Sequence, residues 1–549
     1  MSTVAELVRA RAGDDNAALL YEDDRWTYAD YVEACAERAV LLDELRRPGP
    51  FHVGVLLDNV PEFPMWLGAA ALAGAVVVGI NPTRRGAELA RDVTHTDCQL
   101  IVTEDAYAPL LGGLDLGIDD ERVLVTESAG YRDALSRHRG APLPHVEVDA
   151  SDMFLLLFTS GTSGAPKACI CSHGRLARIG QALAGMVDLG PDDVCYLAMP
   201  MFHSNALMAG WSPALAGGAT TALRRKFSAS GFLPDVRRFA ATYFNYVGKP
   251  LSYVLATPEQ PDDADNPLRL VFGNEAAELD IERFSKRFGC PVIDSYGSTE
   301  GGAIVSRTPD MPRGALGRGA EGVAVLDPET GEEMPPARFD DQGRLLNPDE
   351  AIGELVNQLG AASFEGYWRN DEADHARVHN GIYWTGDLAY RDEDGFIYFA
   401  GRDFEWLRVD GENFAAAPVE RILARHPDVV LAAVYAVPDP DVGDRVMAAL
   451  QLRAEAEFDP DGFTAFLAEQ PDLGTKWTPR FVRIADPLPV TETSKVLKRP
   501  LRRERWECTD PVWWQPEKGE PYRRFDAADA DALRDQFEAR GRAAALEAV

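Results

Sequence analysis

D-M-F-L-L-L-F-T-S-G-T-S-G-A-P-K, residues 152–167, joins two unlike halves. Met153 to Phe158 is a continuous apolar run too short for an ordinary helix, which predicts a buried strand. Thr159 to Lys167 is Gly, Ser, Thr, Ala and Pro closed by one lysine. Such a loop offers hydroxyls and approachable backbone N–H groups, because glycines carry no Cβ. A strand that feeds this chemistry into a loop is a polyphosphate cradle. It is not a Walker P-loop, which needs Gly-Lys-Ser/Thr; here Ala165 and Pro166 precede Lys167 and Ala168 follows. The bland alternative is a flexible Ser/Gly connector, but connectors are not usually joined to a buried strand and ended by a cation.

Working outward, helical segments alternate with short apolar runs on both sides of the loop. Toward the N-terminus, helices over Tyr28–Leu45, Pro61–Gly74 and Arg85–Thr94 are separated by strands near Val53–Leu57 and Leu100–Thr103. Beyond it come helix Gly174–Met186, strand Val194–Met199, helix Leu207–Ala216 and strands Ala219–Leu223, Ala241–Val247 and Leu268–Phe272. Helix Glu278–Phe288 and strand Val292–Tyr296 follow. This rhythm predicts βαβ units and a largely parallel sheet. From about Gly314 short strands lie among Gly, Pro and Asp clusters, which predicts a smaller β-rich subdomain. Gly317, Gly319 and Gly322 fit G-x-G-x-x-G but open no helix, so a dinucleotide site is not read there. After Arg402 a third region holds helix Pro418–His426, strands Val429–Val437 and Val446–Leu452, and helix Asp461–Leu467. A Trp-rich tail with a charged helix, Asp526 to Glu547, is expected to pack on the surface or on a neighbour.

At 549 residues the chain calls for at least two domains. Its formal net charge of −33 argues against nucleic acid and against docking on anionic lipid. Seven cysteines, an odd number without a framework, fit a reducing compartment; Cys169 and Cys171 read as buried thiols on one strand. No signal peptide is read at the N-terminus, and the location expected is cytoplasmic. The longest apolar run, Met65 to Ile80, falls short of the ~20 residues a spanning helix needs and reads as a buried helix running into a buried strand.

T-S-G-T-S-G-A-P-K closely resembles the phosphate loop of the adenylate-forming superfamily, which includes acyl-CoA synthetases, aryl-CoA ligases, luciferases and peptide-synthetase adenylation domains. Four further stretches match that family in order and approximate spacing, so the resemblance covers nearly the whole chain. They are residues 200–205 (P-M-F-H-S-N), 294–300 (D-S-Y-G-S-T-E), 383–388 (Y-W-T-G-D-L) with Gly401-Arg402, and 488–495 (L-P-V-T-E-T-S-K). The resemblance implies that Thr159, Ser160, Gly161, Thr162, Ser163, Gly164 and Lys167 hold ATP phosphates. It places Tyr296 on adenine beside Gly297, with the Asp294 carboxylate or a nearby carbonyl taking the amino group. Asp387 takes the ribose hydroxyls, assisted by Arg402. Thr299 meets the α-phosphate, and Glu300, with Thr159 beside it, offers hard oxygen to Mg²⁺. His203 lines the carboxylate pocket; alone it would read equally well as a satisfied histidine at a strand end. Lys495 is the lysine reaching in from a mobile domain, because a positioned cation lowers the barrier between two anions; alone it would read as a solvated lysine.

Tyr243 to Gly248, Phe272 to Ala277 and Gly411 to Asn413 look like the fatty-acid-transport and very-long-chain acyl-CoA synthetase branch. That places Asn205, Tyr246, Gly248, Lys249, Gly273 and Asn274 around an acyl pocket and Gly411 at the CoA tunnel. Two positions depart from the family. The hinge is Phe404 rather than Asp or Lys, and Lys249 stands where the branch carries an acid; it either pairs a second anionic group on the substrate or lies on the surface.

The expected molecule is α/β. Residues 1–402 form a large ATP- and acyl-binding domain of βαβ units, with the β-rich subdomain at about 314–402. Residues 403–510 form a small mobile α+β domain, and 511–549 a tail. The expected reaction converts a carboxylic acid, ATP and CoA through acyl-AMP to acyl-CoA. The alternatives are transfer to a non-CoA acceptor, activation of another oxyanion such as nitrite, a nucleotide sensor without turnover, and a lipid-uptake membrane protein. A homodimer stays open.

Overall fold

The computed structural model describes residues 2–159, 167–276, 278–308, 310–328, 330–341, 343, 345–361, 363–402, 406–409, 412–440, 444–470, 473–474, 476–491, 496–516 and 520–546. Ser160, Gly161, Thr162, Ser163, Gly164, Phe404, Gly411 and Lys495 lie outside them.

Two sheets of mostly parallel strands carry the large domain. The first runs, edge to edge, Val123–Val125, Cys98–Thr103, His52–Leu56, Val76–Gly79, Met153–Thr159 and Lys167–Ser172. Only its last pair is antiparallel, and that pair is the hairpin joined by the Gly/Ser/Thr stretch 160–166. The second runs Val292–Asp294, Leu270–Asn274, Tyr243–Val247, Val194–Leu197, Thr220–Leu223, Ala17–Tyr21 and Asp24–Thr27. Parallel sheets need both faces covered, and their strands accordingly read as unbroken apolar runs. The run from Met65 to Ile80 shows this: helix Glu62–Ala73 is buried from Phe63 onward, and strand Val76–Gly79 is buried at every position. Gly74, left-handed at φ 67°, turns the chain between them. Helices Tyr28–Leu45 and Glu278–Phe288 have the bounds expected from sequence. Among the described residues no helix is long and apolar enough to cross a membrane. All seven cysteines are free thiols, Cys169 and Cys171 buried on strand Lys167–Ser172.

A third, antiparallel sheet orders Val305–Ser306, Gly317–Gly319, Phe396–Arg402, Ile382–Arg391, Gly353–Asn357 and Val323–Leu326, which is the β-rich texture after Gly314. The glycines of the G-x-G-x-x-G match serve this sheet. A Cβ on Gly317, at φ 130°, would lie 2.0 Å from the Ser306 carbonyl oxygen.

One expectation is refined and one fails. The helix over Leu207–Ala216 is a π-helical turn, Ala206–Trp211, leading into an α-helix at Ser212–Gly217. Pro213 has no N–H for the carbonyl four residues back. That carbonyl, on Ala209, accepts the Tyr243 hydroxyl at 2.8 Å instead. The segment after Pro511 is not a separate tail. Val512–Trp514 and Arg523–Arg524 extend a sheet built from Val429–Pro438, Asp444–Leu452 and Phe481–Ile484. Its helix spans Ala527–Ala539, opened by a reciprocal Asp526/Asp529 cap and followed by left-handed Gly541. Phe525, Leu533 and Phe537 bury against Phe481 and Trp506, so the chain end completes the small domain's core.

Phe537 is fully buried. Phe537→Ala is expected to cost the small domain about 3–5 kcal/mol, read as a lower thermal midpoint and faster amide exchange in strand 429–438. An unchanged midpoint would mean that the last helix does not seat in that core.

Candidate active site

The hairpin register sets Thr159 opposite Lys167, so the chain leaves and re-enters the sheet at one point on either side of the expected phosphate loop. The Lys167 ammonium stands 5.4 Å from the centroid of the Tyr367 ring. Burial holds its pKa below the usual lysine value; Arg377 adds to the shift and Glu300 opposes it. Segment 366–368 runs along the hairpin, with Ile170 N–H donating to Gly366 and Trp368 N–H to Ala168. This brings Tyr367 to Glu300. The Tyr367 hydroxyl donates to Glu300 Oε1 at 2.8 Å, and Glu300 is only 7% exposed. Burial, and then the Glu300 carboxylate, raise the Tyr367 pKa, so the hydroxyl stays a neutral donor.

Thr299 is held from two directions. Its hydroxyl lies 2.7 Å from Ser204 Oγ, and its carbonyl accepts Arg175 Nη2 at 2.6 Å. Arg175 itself is 1% exposed and donates a second bond to the Ile170 carbonyl. Gly301 is left-handed, φ 69°, and a Cβ there would stand 2.5 Å from the Arg175 guanidinium. Backbone and side chain therefore both require glycine at 301.

On the expected nucleotide side, the Tyr296 hydroxyl donates to Asp387 Oδ2 at 2.5 Å, and Asp387 faces Arg402 across the strand pair. Asp294 lies deeper. Its Oδ2 accepts the Tyr246 hydroxyl at 2.6 Å and the Ala276 N–H at 3.0 Å. That carboxylate holds the 274–276 loop from beneath. Glu275 in this loop sits at φ 71°, backbone that a non-glycine residue rarely adopts. Gly297 has open space where a Cβ would stand.

On the expected acyl side, His203 caps a turn onto the Pro200 carbonyl and its ring lies 4.3 Å from that of Phe202. Asn205 Nδ2 donates to the Tyr246 carbonyl at 2.9 Å and accepts at Oδ1 from Asn245 Nδ2 at 2.8 Å. Asn274 Nδ2 donates to the Ser295 carbonyl at 2.6 Å. Gly273 is there because a Cβ would meet the Tyr246 ring at 2.5 Å. Gly248, at φ 76°, donates its N–H to Asn274, and half-buried Lys249 opens helix Pro250–Leu255. The structure thus gathers Thr159, Lys167, Thr299 and Glu300 on one side, and Asn205, Tyr246, Gly248, Gly273 and Asn274 on another. Ser204, Arg175, Tyr367 and Arg377 were not picked out from the sequence. Of these, Arg175 stands three residues after the N-cap Ser172, in a first turn of His173, Gly174, Arg175 and Leu176.

The chain matches the AMP-binding enzyme family over residues 7–368 and the AMP-binding enzyme C-terminal domain over residues 418–495. It is 53% identical over 544 residues to the steroid-22-oyl-CoA synthetase of Rhodococcus jostii, covering 98% of each chain. It is 50% identical over 512 residues to the medium/long-chain-fatty-acid–CoA ligase FadD17 of Mycobacterium marinum, covering 93% of this chain and 98% of that one. The anthranilate CoA ligase AuaEII, solved with anthranoyl-AMP, superposes with a TM-score of 0.80 at 22% identity, over 91% of this chain and 96% of that one; this likeness shows the fold. The amide bond synthetase McbA from Marinactinospora thermotolerans superposes with a TM-score of 0.75 at 26% identity, over 91% of this chain and 98% of that one. The chain belongs to the AMP-binding enzyme family, the adenylate-forming superfamily that its phosphate loop resembles. The relatives it matches at half identity or better, over more than nine-tenths of its length, are acyl-CoA ligases.

Burial pushes the Asp294 carboxyl up to about 6, against the lowering by its two hydrogen bonds. An acid raised in this way stabilises the fold below its unfolded value of 3.8 and loses that contribution as pH rises through about 6. Asp294→Asn keeps an acceptor oxygen for Tyr246 and Ala276. Its stability relative to the parent is expected to rise by about 2–3 kcal/mol between pH 4 and pH 8, measured as urea midpoints. A difference independent of pH would mean that Asp294 does not titrate there.

Proposed function

We infer that the chain is an ATP-dependent acyl-CoA ligase: a carboxylic acid and ATP give acyl-AMP and pyrophosphate, and CoA then gives acyl-CoA and AMP. The observation that carries the site reading is the cluster of Thr299, Ser204, Glu300, Tyr367 and Lys167 at the mouth of the phosphate hairpin. Hydroxyls, a cation and a buried carboxylate converge where the chain loops out. In this reading the triphosphate follows the 159–167 loop, with the Lys167 ammonium on its oxygens. The Thr299 hydroxyl, oriented by Ser204, donates to the α-phosphate. Tyr296 stacks on adenine, and Asp387 accepts from the ribose diol beside Arg402. The substrate carboxylate enters past His203 and attacks the α-phosphorus in line, pyrophosphate leaving opposite. Lys495 neutralises the two anions as they meet.

The donor set fits Mg²⁺. Glu300 supplies one hard oxygen and Thr159 stands at the loop's root, while among the described residues no group of three or more His, Cys, Asp or Glu is clustered for a metal. One carboxylate with phosphate and water oxygens is the usual Mg²⁺ arrangement. The ion would screen the phosphate charge. For the second step the domain beyond residue 402 swings about Phe404, withdrawing Lys495 and bringing up the Gly411 loop, where a glycine leaves room for pantetheine. The thiolate attacks the acyl carbonyl and AMP leaves.

The acyl group proposed is a bulky apolar one, a medium or long chain or a steroid side chain, since those are what the two relatives' names specify. Transfer to a non-CoA acceptor has one supporting observation, the likeness to an amide bond synthetase, at about half the identity of the CoA ligases.

The test is pyrophosphate release over a panel of steroid side-chain acids, straight-chain acids, benzoate and nitrite, each with and without CoA. Long-chain or steroid acids should release pyrophosphate, and thioester should accumulate only with CoA. Pyrophosphate release with CoA present but thioester from none of the acids would refute the ligase reading. Lys495→Ala is expected to slow acyl-AMP formation by about 100-fold or more, the scale of losing one transition-state charge contact. Conversion of supplied acyl-AMP and CoA should survive in the same variant. Equal loss of both half-reactions would remove Lys495 from the adenylation step.

A further inference from the structure

Three asparagines sit together where the acyl group would enter, and their amides can be oriented without ambiguity. Asn205 Nδ2 faces the Tyr246 carbonyl at 2.9 Å, and a carbonyl only accepts, so Asn205 cannot be turned round. Its Oδ1 must then accept from Asn245, whose Nδ2 stands 2.8 Å away. Asn274 is fixed in the same way by the Ser295 carbonyl, and its Oδ1 points back toward Asn205 Nδ2 at 3.5 Å. The chain of amides ends on Asn245 Oδ1. Asn245 is fully buried in the strand Tyr243–Val247, and this oxygen accepts no hydrogen bond among the described residues. Leaving a buried acceptor unmatched is costly, so such an atom calls for a donor.

Beside Asn245 Oδ1 runs the π-helical turn Ala206–Trp211, the kind of irregular helix that recurs at functional sites. Gly210 in that turn faces it, and a Cβ there would stand 3.0 Å from the oxygen and 2.5 Å from Leu197 Cδ1. The turn begins right after Asn205, and Ser204 is bonded to Thr299. In the functional reading the reacting carboxylate lies at Thr299 and His203, so the acyl chain beyond it passes Asn205 toward Asn245. The geometry points to Asn245 Oδ1 as an acceptor for a hydroxyl carried by the acyl substrate, several bonds from its carboxylate. This rests on the acyl-CoA ligase reading and narrows its substrate to hydroxylated apolar acids. Asn205 positions Asn245, and Gly210, having no side chain, keeps a methyl off the oxygen.

The experiment compares kcat/KM for CoA-thioester formation by the full-length enzyme on matched pairs of acids. Each pair is one chain length or one steroid side-chain acid, with and without a single hydroxyl, the hydroxyl being moved along the skeleton. One position is expected to be favoured by about tenfold or more, since a buried acceptor discriminates against a partner lacking the donor. In Asn245→Leu the ratio of hydroxylated to plain acid should fall to about one. Loss of general packing would lower both acids alike and leave the ratio unchanged. Should Asn245→Leu not fold, Gly210→Ala is read instead. Its methyl crowds the oxygen while the flexible end of Leu197 gives way, and the same collapse of the ratio is expected. No hydroxyl preference at any position in the parent enzyme, as when a water molecule satisfies the oxygen, overturns the inference, as does a preference that both variants retain. Absence of thioester from every acid would instead strike the ligase reading itself.

Discussion

Arg175 is a guanidinium buried under the loop that carries Thr299 and Glu300, and the site hangs from it. A charge taken out of water must be matched by fixed dipoles. Here the Thr299 and Ile170 carbonyls do this, the second belonging to the phosphate hairpin and the first to the loop beyond strand 292–294. One cation thereby joins the two parallel sheets at the place where phosphate chemistry is expected. The third sheet reaches the same few residues, since Asn357 Nδ2 donates to the Gly302 carbonyl at 2.8 Å and the Tyr383 ring fills the space a Cβ on Gly302 would need. Residues 299–302 are where three sheets meet. Two glycines in that loop are fixed by these neighbours: Gly301 by the guanidinium, Gly302 by the ring. In a chain of net charge −33, a buried positive charge beneath the loop also gives an anion a local reason to stay.

Successive residues of a strand point to opposite faces, and strand Tyr243–Val247 uses this to serve two purposes. Tyr246 reaches Asp294 and steadies the loop at Ala276, while Asn245 points to the other face and meets Asn205. The Tyr246 carbonyl in turn orients Asn205. A substitution at either position is felt on both sides of the sheet. Gly273 on the neighbouring strand exists to let the Tyr246 ring lie flat across it.

What the sequence made legible was periodicity and spacing. Helix Tyr28–Leu45 and helix Glu278–Phe288 are local amphipathic patterns, and the buried run around Met65 to Ile80 needs only length and residue type to be read. The stretches 200–205 and 294–300 were legible beside the short apolar runs of strands Val194–Leu197 and Val292–Asp294, whereas 383–388 and Gly401-Arg402 lie inside strands and were legible only as a motif. Features set by distant partners were not. Tyr367 meets Glu300 across 67 residues and Arg175 meets Thr299 across 124, distances at which no pattern in the chain announces the contact. The π-helical turn depends on a tyrosine hydroxyl from another strand taking the carbonyl that Pro213 cannot serve. The segment after Pro511 read as a tail because its strands are three and two residues long, too short for an alternating pattern to register.

That short last strand has a consequence for how the protein behaves in a crowded solution. The outer edge of a sheet is a row of unpaired donors and acceptors onto which another copy can add. Here the edge is Arg523–Arg524, two exposed arginines, and both turn back over Trp513 and Trp514 while Arg523 is also held by Asp529. A neighbouring molecule would have to displace these cations, and it would find only two residues of backbone to pair with. Residues 512–537 therefore guard this edge of the sheet, the other being strand Val429–Pro438, as well as completing its core, and truncation at Pro511 would uncover strand Phe481–Ile484.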